Sequence, residues 1–455
     1  MTTIYFNKKT ALAVVLVIIF AIGVRSASAQ LLTSGDLVVS MYGNVGTAAT
    51  NNTYLDGQAT PISLEEFAPV VGTADSATPI LTETLPTTGS GSNVGIVGEF
   101  GSSSEGTIQL SGDGQYLAIG GYDGNLAENG APPGGYGGGN TAEAQSTDTN
   151  VPRVAALIDA NGNVNTSTVL NDVYNTNNPR SVYTQNGTTV YTSGQGAGKS
   201  DEGGIYYTPV GNNTTAGGTA PTGIYNAVST RTVQAYNGNL YYSADQNSSS
   251  KGTQTGIFMY SGSPTTSQGS QTGTRITPAN NGAGVNYSPQ GFFFANSTTL
   301  YVADTGDPKA GGTGDGGIQK WTLSLTSGQW VLDYTLTSVN LVSPASATSV
   351  AHGETGFEAL TGQIVGNQVN LFAISYTAGD ADSNGFYGVT DNLSATTAAP
   401  GETMIELAQS GADNNFKGVS FTPQAVPEPS TISLMMLVGG MAGAFAAWKR
   451  KKILA

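Results

Sequence analysis

The chain contains no cysteine and only one histidine among its 455 residues. Without cysteine there is no disulfide, no thiol nucleophile and no thiolate metal site. The single histidine, His352, excludes a histidine-rich metal centre and is the one imidazole that could serve as a general base or metal ligand. Glu354 and Glu358 lie close to it in sequence. The same residues equally fit a polar loop that leads into a strand.

Basic residues are scarce as well, with 16 Lys and Arg against 31 Asp and Glu, so the formal net charge is −15. Seven of the basic residues lie in the first 29 and last 30 positions, which makes the intervening body still more acidic. Such a surface repels nucleic acid and anionic lipid. We therefore expect no nucleic-acid partner, and divalent cations suit the body better.

The abundant residues are those of strands and turns, with 63 glycines and 21 tyrosines. One pattern recurs: a short apolar strand, a turn, an aromatic-rich strand and a Gly/Asp loop. A third strand and a fourth apolar segment follow each copy. Four strands in each unit of about 50 to 75 residues are typical of a β-propeller blade. The five hairpins cover residues 107–124, 181–196, 232–247, 292–306 and 358–379.

The remaining segments predict a sixth blade shared between the two ends of the body. Residues 36–43, 62–67 and 80–86 match second, third and fourth strands, and residues 416–421 match a first strand. The sequence therefore predicts an all-β, six-bladed β-propeller closed by pairing of residues 36–43 with 416–421, which removes free sheet edges. A seven-bladed ring stays open if the long insert at residues 122–150 holds strands. Its Gly-rich segment, residues 128–140, shows no alternation, and we interpret that segment as an exposed loop. Sandwich arrays and β-helices fit the repeat length less well.

An acidic loop near the end of the body is a candidate calcium site. Asp380, Asp382 and Asn384 occupy the first, third and fifth positions of a calcium-binding pattern, with Asp391 at the twelfth. Strands rather than helices flank this loop, and a polar hairpin tip has the same composition. The sequence indicates no other cofactor. A second acidic group with weaker spacing consists of Asp304, Asp307 and Asp315.

Two tryptophans allow a sugar-stacking platform on a propeller face. Trp321 and Trp330 belong to neighbouring strands of the fourth repeat. Large aromatic side chains in strands usually bury themselves, so packing between blades is the favoured interpretation. No combination of residues in the body forms a recognisable catalytic set.

The first 29 residues have the pattern of a secretory signal peptide. Lys8 and Lys9 precede an apolar core at residues 11–24, and Ala27-Ser28-Ala29 provides small residues for cleavage after Ala29. We therefore expect an N-terminal signal helix, export and removal of residues 1–29.

The last thirty residues combine three parts in a fixed order. Pro427, Glu428 and Pro429 precede an uncharged segment at residues 432–448, which as a helix spans roughly 25 Å. An interfacial aromatic and a basic stop follow, so the body lies outside the cytoplasm. The alternative interpretation is a plain single-span membrane anchor with a Pro-rich hinge, because such an anchor has an apolar segment of the same kind. The stop consists of Trp448, Lys449, Arg450, Lys451 and Lys452.

This three-part tail resembles the PEP-CTERM sorting signal of Gram-negative bacteria. The resemblance covers residues 426–455 and implies recognition by an exosortase, an integral-membrane cysteine transpeptidase that cuts near the motif. It further implies an association with exopolysaccharide and biofilm systems. We expect a membrane-anchored precursor whose body, residues 30–425, reaches the outer surface or the extracellular space.

The function expected for this body is a non-enzymatic structural or binding role in the envelope or matrix. Its partners would be an extracellular polysaccharide or a surface protein, with exosortase as the processing enzyme. The alternative is a calcium-dependent hydrolase or lyase that acts on extracellular polysaccharide from a propeller face.

Overall fold

The structure, a computed structural model, describes residues 32–43, 54–124, 141–196, 203–225, 229–248, 252–269, 271–278, 287–306, 316–342, 353–377 and 383–425. The predicted signal peptide and the PEP-CTERM tail, including the predicted helix at 432–448, lie outside these residues. Within the described part of the chain, no helix has the length and apolar character needed to span a membrane.

The described residues form an all-β fold with two short 3₁₀ helices, Glu143–Gln145 and Thr214–Ala216. The first eight strands are β1 Leu37–Gly43, β2 Ala59–Phe67, β3 Leu81–Thr84, β4 Ile96–Glu99, β5 Gln109–Leu110, β6 Tyr116–Asp123, β7 Arg153–Asp159 and β8 Val164–Leu170. The next eight are β9 Pro179–Tyr183, β10 Thr189–Gly194, β11 Gly204–Pro209, β12 Thr222–Tyr225, β13 Thr230–Tyr236, β14 Asn239–Ser248, β15 Gly252–Tyr260 and β16 Thr274–Arg275.

The last nine strands are β17 Pro289–Asn296, β18 Thr299–Asp304, β19 Gly317–Leu323, β20 Trp330–Leu336, β21 Glu354–Val365, β22 Gln368–Thr377, β23 Gly385–Asn392, β24 Ile405–Gln409 and β25 Asn414–Phe421. Antiparallel pairing groups strands β9–β12, β13–β16, β17–β20 and β21–β24 into four four-stranded sheets, named sheets II to V. Sheet I contains β25 and β1–β8. Several four-stranded antiparallel sheets in succession are compatible with a β-propeller.

The predicted pairing of the two ends of the body is confirmed. Strand β25 lies antiparallel to β1, with Leu37 opposite Phe421 and Gly43 opposite Asn414. Strand β2 follows on the other side of β1, and β3 pairs with β2. The chain is therefore closed by backbone hydrogen bonds between its first and last described strands, which leaves neither strand as a free edge.

Strand β4 was not predicted. It connects strands that the sequence assigned to two separate blades at the start of the body. Its residue Glu99 pairs with Ala59 of β2, and its residue Ile96 pairs with Asp123 of β6. The strand thereby joins the first and second predicted blades into the nine-stranded sheet I. Its four residues, Ile-Val-Gly-Glu, are too short to show the alternation by which strands are recognised in sequence.

Apolar clusters fill the space between successive sheets around a closed cycle. Clusters join the β6–β7 region to sheet II, sheet II to III, III to IV, and IV to V. Another cluster joins sheet V to β25, β1 and β2, and a further one joins β1 and β2 to β6 and β7. The hydrophobic core is therefore a ring of interfaces with no single centre.

Side-chain hydrogen bonds repeat at these interfaces. The hydroxyl groups of Ser40, Ser193 and Ser243 each donate to a backbone carbonyl at the first strand of the following unit. Asn384 of sheet V donates to the carbonyl of Phe416 over 2.8 Å and accepts the amide of the same residue. These polar links fix the angle between sheets that apolar packing alone would leave adjustable.

The insert at residues 122–150 is only partly described. Residues 141–150 pack against the body, because Glu143 is fully buried and Ala144 is 8 % exposed. The Gly-rich segment predicted as an exposed loop, residues 128–140, lies outside the described residues. Apart from β6 and β7, which flank the insert, its described residues add no strand.

Candidate functional site

A β-bulge occurs near the start of the first strand in each of sheets II to V, and again in β25. In β9 the pairing passes from Ser181 to Pro179, which leaves Arg180 as the extra residue. Glu358 of β21 and Lys417 of β25 are skipped in the same way. A bulge turns the side chain of its extra residue away from the regular pleat.

The bulged residues are charged or amide-bearing, although charged residues form only 10 % of the chain. The corresponding bulges of β13 and β17 contain Arg231 and Gln290. The corresponding position before β5 is Gly106, because its carbonyl accepts from Ser40 as those of Arg231 and Gln290 accept from Ser193 and Ser243. Glu105 directly precedes Gly106 and is included as its charged neighbour. We call these side chains the bulge ring: Glu105, Arg180, Arg231, Gln290, Glu358 and Lys417.

The bulge ring is almost completely withdrawn from solvent. Exposure is 4 % for Arg180, 4 % for Lys417 and 2 % for Glu105. Buried charges are costly unless they are paired or hydrogen-bonded, so their partners determine what this ring can do.

Arg180 and Lys417 donate to the segment that leads into the next group of strands, whereas Arg231 pairs with Asp245 of its own sheet III. Arg180 donates to the hydroxyl of Ser229 over 2.9 Å and to the carbonyl of Thr230 over 3.2 Å, at the start of sheet III. Lys417 donates from Nζ to the carbonyl of Ser102 over 2.6 Å. Burial lowers the pKa of Arg180, and the guanidinium of Arg231 lowers it further. Arg180 and Lys417 therefore link successive groups of strands.

A narrow channel runs between the first strands. Its cavity volume is about 120 Å³, and its wall includes Thr107, Thr232, Gly291, Ala359 and Val419. Each of these residues follows a bulge-ring position by one or two places. The described wall carries no titratable side chain, so it offers no carboxyl, imidazole or amine for acid–base chemistry.

A larger polar cavity, the acid pocket, adjoins Glu105. Its volume is about 300 Å³, and it is lined by the segments 56–57, 99–104, 142–145 and 176–178. Ser102, Asn177 and Asn178 contribute hydroxyl and amide groups to its wall. Sequence reasoning did not find this cavity, because the four segments lie far apart in the chain.

A hydrogen-bonded group of carboxyl and tyrosine side chains lies at the wall of the acid pocket and behind it. The amide of Glu99 donates to Oε2 of Glu105 over 3.3 Å, and Asn178 donates to Oε1 over 2.6 Å. Tyr122 also donates its hydroxyl to Glu105, and the amide of Ala144 donates to the carboxylate of Glu99. Glu99 lines the pocket, whereas Glu105 and Tyr122 are buried behind its wall.

Burial raises the pKa of Glu105, although the hydrogen bonds from Tyr122 and Asn178 act in the opposite direction. Burial also raises the pKa of Tyr122 well above its usual range, and the charge of Glu105 adds to this effect. Tyr122 therefore keeps its proton and acts as a hydrogen-bond donor to the carboxyl group.

Arg153 fixes the loops around the pocket. Its guanidinium donates to the carbonyls of Ser146, Tyr174 and Asn177, each over 2.9 Å. It also lies 5.0 Å from the ring centroid of Tyr122. With its hydrogen bonds directed at backbone carbonyls, Arg153 positions the pocket wall.

The predicted calcium ligands are not brought together in the described part of the chain. Asn384 and Asp391 lie just before the start and near the end of β23, and a strand of this length separates them by roughly 20 Å. Asn384 bonds the backbone of Phe416, and Asp391 forms an ion pair with Lys320. The prediction that Asp391 is the twelfth-position ligand of a calcium-binding loop is therefore wrong. Asp380 and Asp382 lie outside the described residues.

Of the remaining candidates, His352, Asp307 and Asp315 lie outside the described residues. Asp304 is buried at the end of β18 in sheet IV. The described residues contain no group of three or more acidic or histidine side chains suited to a metal ion. Trp321 is 1 % exposed and packs between sheets III and IV, as the favoured interpretation stated.

Five members of the bulge ring occur in a short sequence pattern that recurs in the repeats. In five units a charged or amide residue is followed by a small residue and then an apolar one: Arg-Ser-Val, Arg-Thr-Val, Gln-Gly-Phe, Glu-Ala-Leu and Lys-Gly-Val. Strand alternation draws attention to the apolar positions, so the charged residue before them was overlooked.

Comparison with protein families identifies the C-terminal segment. Residues 425–451 match the PEP-CTERM protein-sorting motif, so the chain carries the sorting signal of an exosortase substrate. This signal implies export and a surface or extracellular location. No curated protein matches the chain in sequence.

Solved structures similar to the chain include propeller domains. The β-propeller domain of the Trilobed protease from Pyrococcus furiosus is 9 % identical, with 79 % of this chain and 78 % of that chain covered and a TM-score of 0.32. A PL25 ulvan lyase is 10 % identical, with 88 % and 90 % covered and a TM-score of 0.36. The GH74 xyloglucanase from Xanthomonas campestris is 11 % identical, with 80 % and 46 % covered and a TM-score of 0.32. At these TM-scores the fold rests on the strand pairing described above.

Proposed function

We propose that the chain is a non-enzymatic component of the cell surface or extracellular matrix. Its body would be a six-bladed ring that binds extracellular polysaccharide. Exosortase would recognise the tail of the exported chain. The sorting motif supports the route, and the acidic, cysteine-free body suits an extracellular setting without disulfides.

The six-blade count follows from dividing sheet I into two units. Strands β25, β1, β2 and β3 make one unit, and β5–β8 make the next, with β4 as a bridge between them. Sheets II to V supply the other four. The five bulges, the matching position of Gly106 before β5 and the apolar clusters that run in a cycle support this count.

The observation that carries the non-enzymatic proposal is the use of charge in the bulge ring. Arg180 donates to the start of sheet III and Lys417 to the segment that leads into β5, and the channel wall beside them has no titratable side chain. Charged side chains whose hydrogen bonds hold the ring together favour a scaffold, because a catalytic group must be able to reach a substrate.

The competing proposal is a polysaccharide hydrolase or lyase. Two carboxyl groups close together at the acid pocket favour it, because Glu99 lines the cavity, Glu105 lies behind Glu99, and paired carboxyl groups carry out acid–base catalysis on sugars. In the scaffold account the same carboxyl groups bind a ligand without cleaving it.

A glycan array probed with the full chain, followed by a cleavage assay on every polysaccharide retained, separates the two. The scaffold account predicts retention of at least one extracellular polysaccharide with no new chain ends after prolonged incubation. New reducing or unsaturated ends that disappear in Glu105→Gln would establish the enzyme instead. An array with no retained glycan contradicts the binding role.

A further inference from the structure

A lysine and an aspartate are held against each other inside the body. Nζ of Lys320 in β19 lies 2.9 Å from Oδ2 of Asp391 in β23, and both side chains have an exposure of 0 %. They lie beside the apolar cluster between sheets IV and V, which includes Tyr301, with Tyr334 packed against it. An amine and a carboxyl group held together away from water are the two reactants of an amide bond.

The other contacts of the amine suit an attack on the carboxyl group. Nζ of Lys320 donates to the hydroxyl of Tyr334 over 3.0 Å and to the carbonyl of Asn392 over 2.6 Å. Once the ammonium group has lost one proton, its two remaining hydrogens satisfy these two acceptors. The lone pair of the nitrogen is then left for its third neighbour, Asp391.

Two tyrosines polarise the carboxyl group of Asp391. Tyr334 donates its hydroxyl to Oδ1 over 2.6 Å, and Tyr301 donates its hydroxyl to Oδ2. Burial raises the pKa of both tyrosines well above the usual range, and the hydrogen bonds to Asp391 add to this effect, so both keep their protons. Fixed donors of this kind stabilise the negative charge that develops on oxygen when an amine attacks a carboxyl carbon.

A third carboxyl group can carry protons between the reactants. Glu402, in the segment before β24, lies within hydrogen-bonding reach of Asp391 and interacts with the charge of Lys320. The amide of Ala399 donates to its Oε2 over 2.8 Å and fixes its position. Burial raises the pKa of Glu402, and Asp391 adds to this, although the amide of Ala399 opposes it. A carboxyl group with a raised pKa is suited to both accepting and returning a proton.

We propose that Lys320 and Asp391 condense after folding into an intramolecular amide, an isopeptide cross-link between sheets IV and V. The bond between Nζ and Cγ forms, the bond between Cγ and one carboxyl oxygen breaks, and that oxygen leaves as water. Of the three ammonium hydrogens, one stays on the amide nitrogen and two leave with the oxygen, transferred by Glu402. The reaction needs no oxidant, cofactor or second substrate, and the ion pair is its starting state.

The cross-link would supply a covalent constraint that the chain otherwise lacks. The sequence contains no cysteine and therefore no disulfide. A bond between Lys320 and Asp391 closes a covalent loop that contains β20, β21 and β22. Such a loop restricts the unfolded chain as a disulfide does, and a reductant does not open it. This inference is independent of polysaccharide binding.

The test is the intact mass of the full chain, solubilised in mild detergent and incubated at neutral pH, followed by peptide mapping with trypsin and chymotrypsin. We expect the loss of one water, about 18 Da, and a branched peptide that joins Lys320 to Asp391. A mass equal to that of the same sequence without a cross-link would overturn the proposal. A water loss located only at an Asp-Gly step such as Asp113-Gly114 would indicate a succinimide and would also overturn it.

Variants assign the roles. Lys320→Arg keeps the positive charge, but its guanidinium does not condense with a carboxyl group, so this variant should keep its full mass. Glu402→Gln should form the cross-link at least tenfold more slowly. The matched control is Glu83→Gln, the same change in β3 of sheet I, which should react at the rate of the parent.

Melting temperatures check the folding of each variant, and the mass of the parent keeps the test decisive if Lys320→Arg is unstable. Water loss that persists in a folded Lys320→Arg would overturn the cross-link. Reaction of Glu402→Gln at the rate of the parent would overturn the role of Glu402 in proton transfer.

Discussion

At the scale of single residues, one buried ion pair shows how the ring uses its few charges. Lys320 of β19 and Asp391 of β23 lie 2.9 Å apart between Nζ and Oδ2, and both side chains are fully buried. Tyr301 and Tyr334 donate their hydroxyls to the same carboxylate. The residue whose spacing suggested a calcium ligand is thus a link between sheets IV and V.

Replacing Lys320 by Met should destabilise the protein by about 3–5 kcal/mol, because Asp391 would remain as a buried charge without its cation. Urea unfolding followed by tyrosine and tryptophan fluorescence measures this change. The paired variant Lys320→Met with Asp391→Leu should recover much of the loss, since it removes both charges. A single variant within about 1 kcal/mol of the parent would show that the pair is solvated.

Asp304 gives the fold a pH dependence. Burial raises its pKa from 3.8 to about 7, although hydrogen bonds from Ser288, Gly306 and Gln319 partly oppose this. Between pH 3.8 and about 7 the folded chain retains a proton that the unfolded chain releases, so stability falls as pH rises through this window.

The variant Asp304→Asn should lack this contribution. Each pKa unit corresponds to about 1.4 kcal/mol, so the difference between parent and variant changes by up to roughly 4 kcal/mol from pH 4 to pH 7.5. Urea unfolding at half-unit pH steps gives the two stability curves. If the free energy of unfolding changed with pH in the same way for parent and variant, the raised pKa of Asp304 would be contradicted.

At the scale of elements, the backbone of the next unit approaches β25 so closely that position 418 requires glycine. A Cβ at Gly418 of β25 would lie 2.5 Å from the amide nitrogen of Ile108 and 2.6 Å from the carbonyl oxygen of Gly106. Both atoms belong to the backbone of the next unit, which cannot rotate away as a side chain could.

Gly418→Ala should therefore cost about 1–3 kcal/mol, as overpacking in a filled core does. Gly120→Ala is the matched control, because its Cβ would meet only side-chain carbons, the nearest at 3.5 Å. Thermal melting of the two variants compares them. Equal melting temperatures would show that β25 can shift away from the neighbouring unit.

The strands of the repeats could be predicted from sequence because each alternates apolar and polar residues and ends at turn residues. The pairing of β1 with β25 followed from the first strand that the N-terminal unit lacks and the single first strand left over at the C-terminal end. Strand β4 could not be predicted, because four residues carry too little periodicity. The acid pocket depends on Asp56, Glu99, Ala142 and Asn178, whose meeting is a property of the ring and not of any local pattern.

At the scale of the whole molecule, the account joins a closed ring to a sorting tail. Backbone pairing of β1 with β25 ends the body immediately before the residues that match the sorting motif. Cleavage near that motif would therefore separate the tail from the body without removing any strand of the ring.

The most direct measurement is the intact mass of the protein recovered from cells of its host, with and without active exosortase. The account predicts that the mature chain begins at Gln30 and ends near Pro427–Pro429 when exosortase is active. Without exosortase, or in Glu428→Ala, it should retain the tail through Ala455 and remain in the membrane fraction. An identical C-terminus in all three samples would contradict the account.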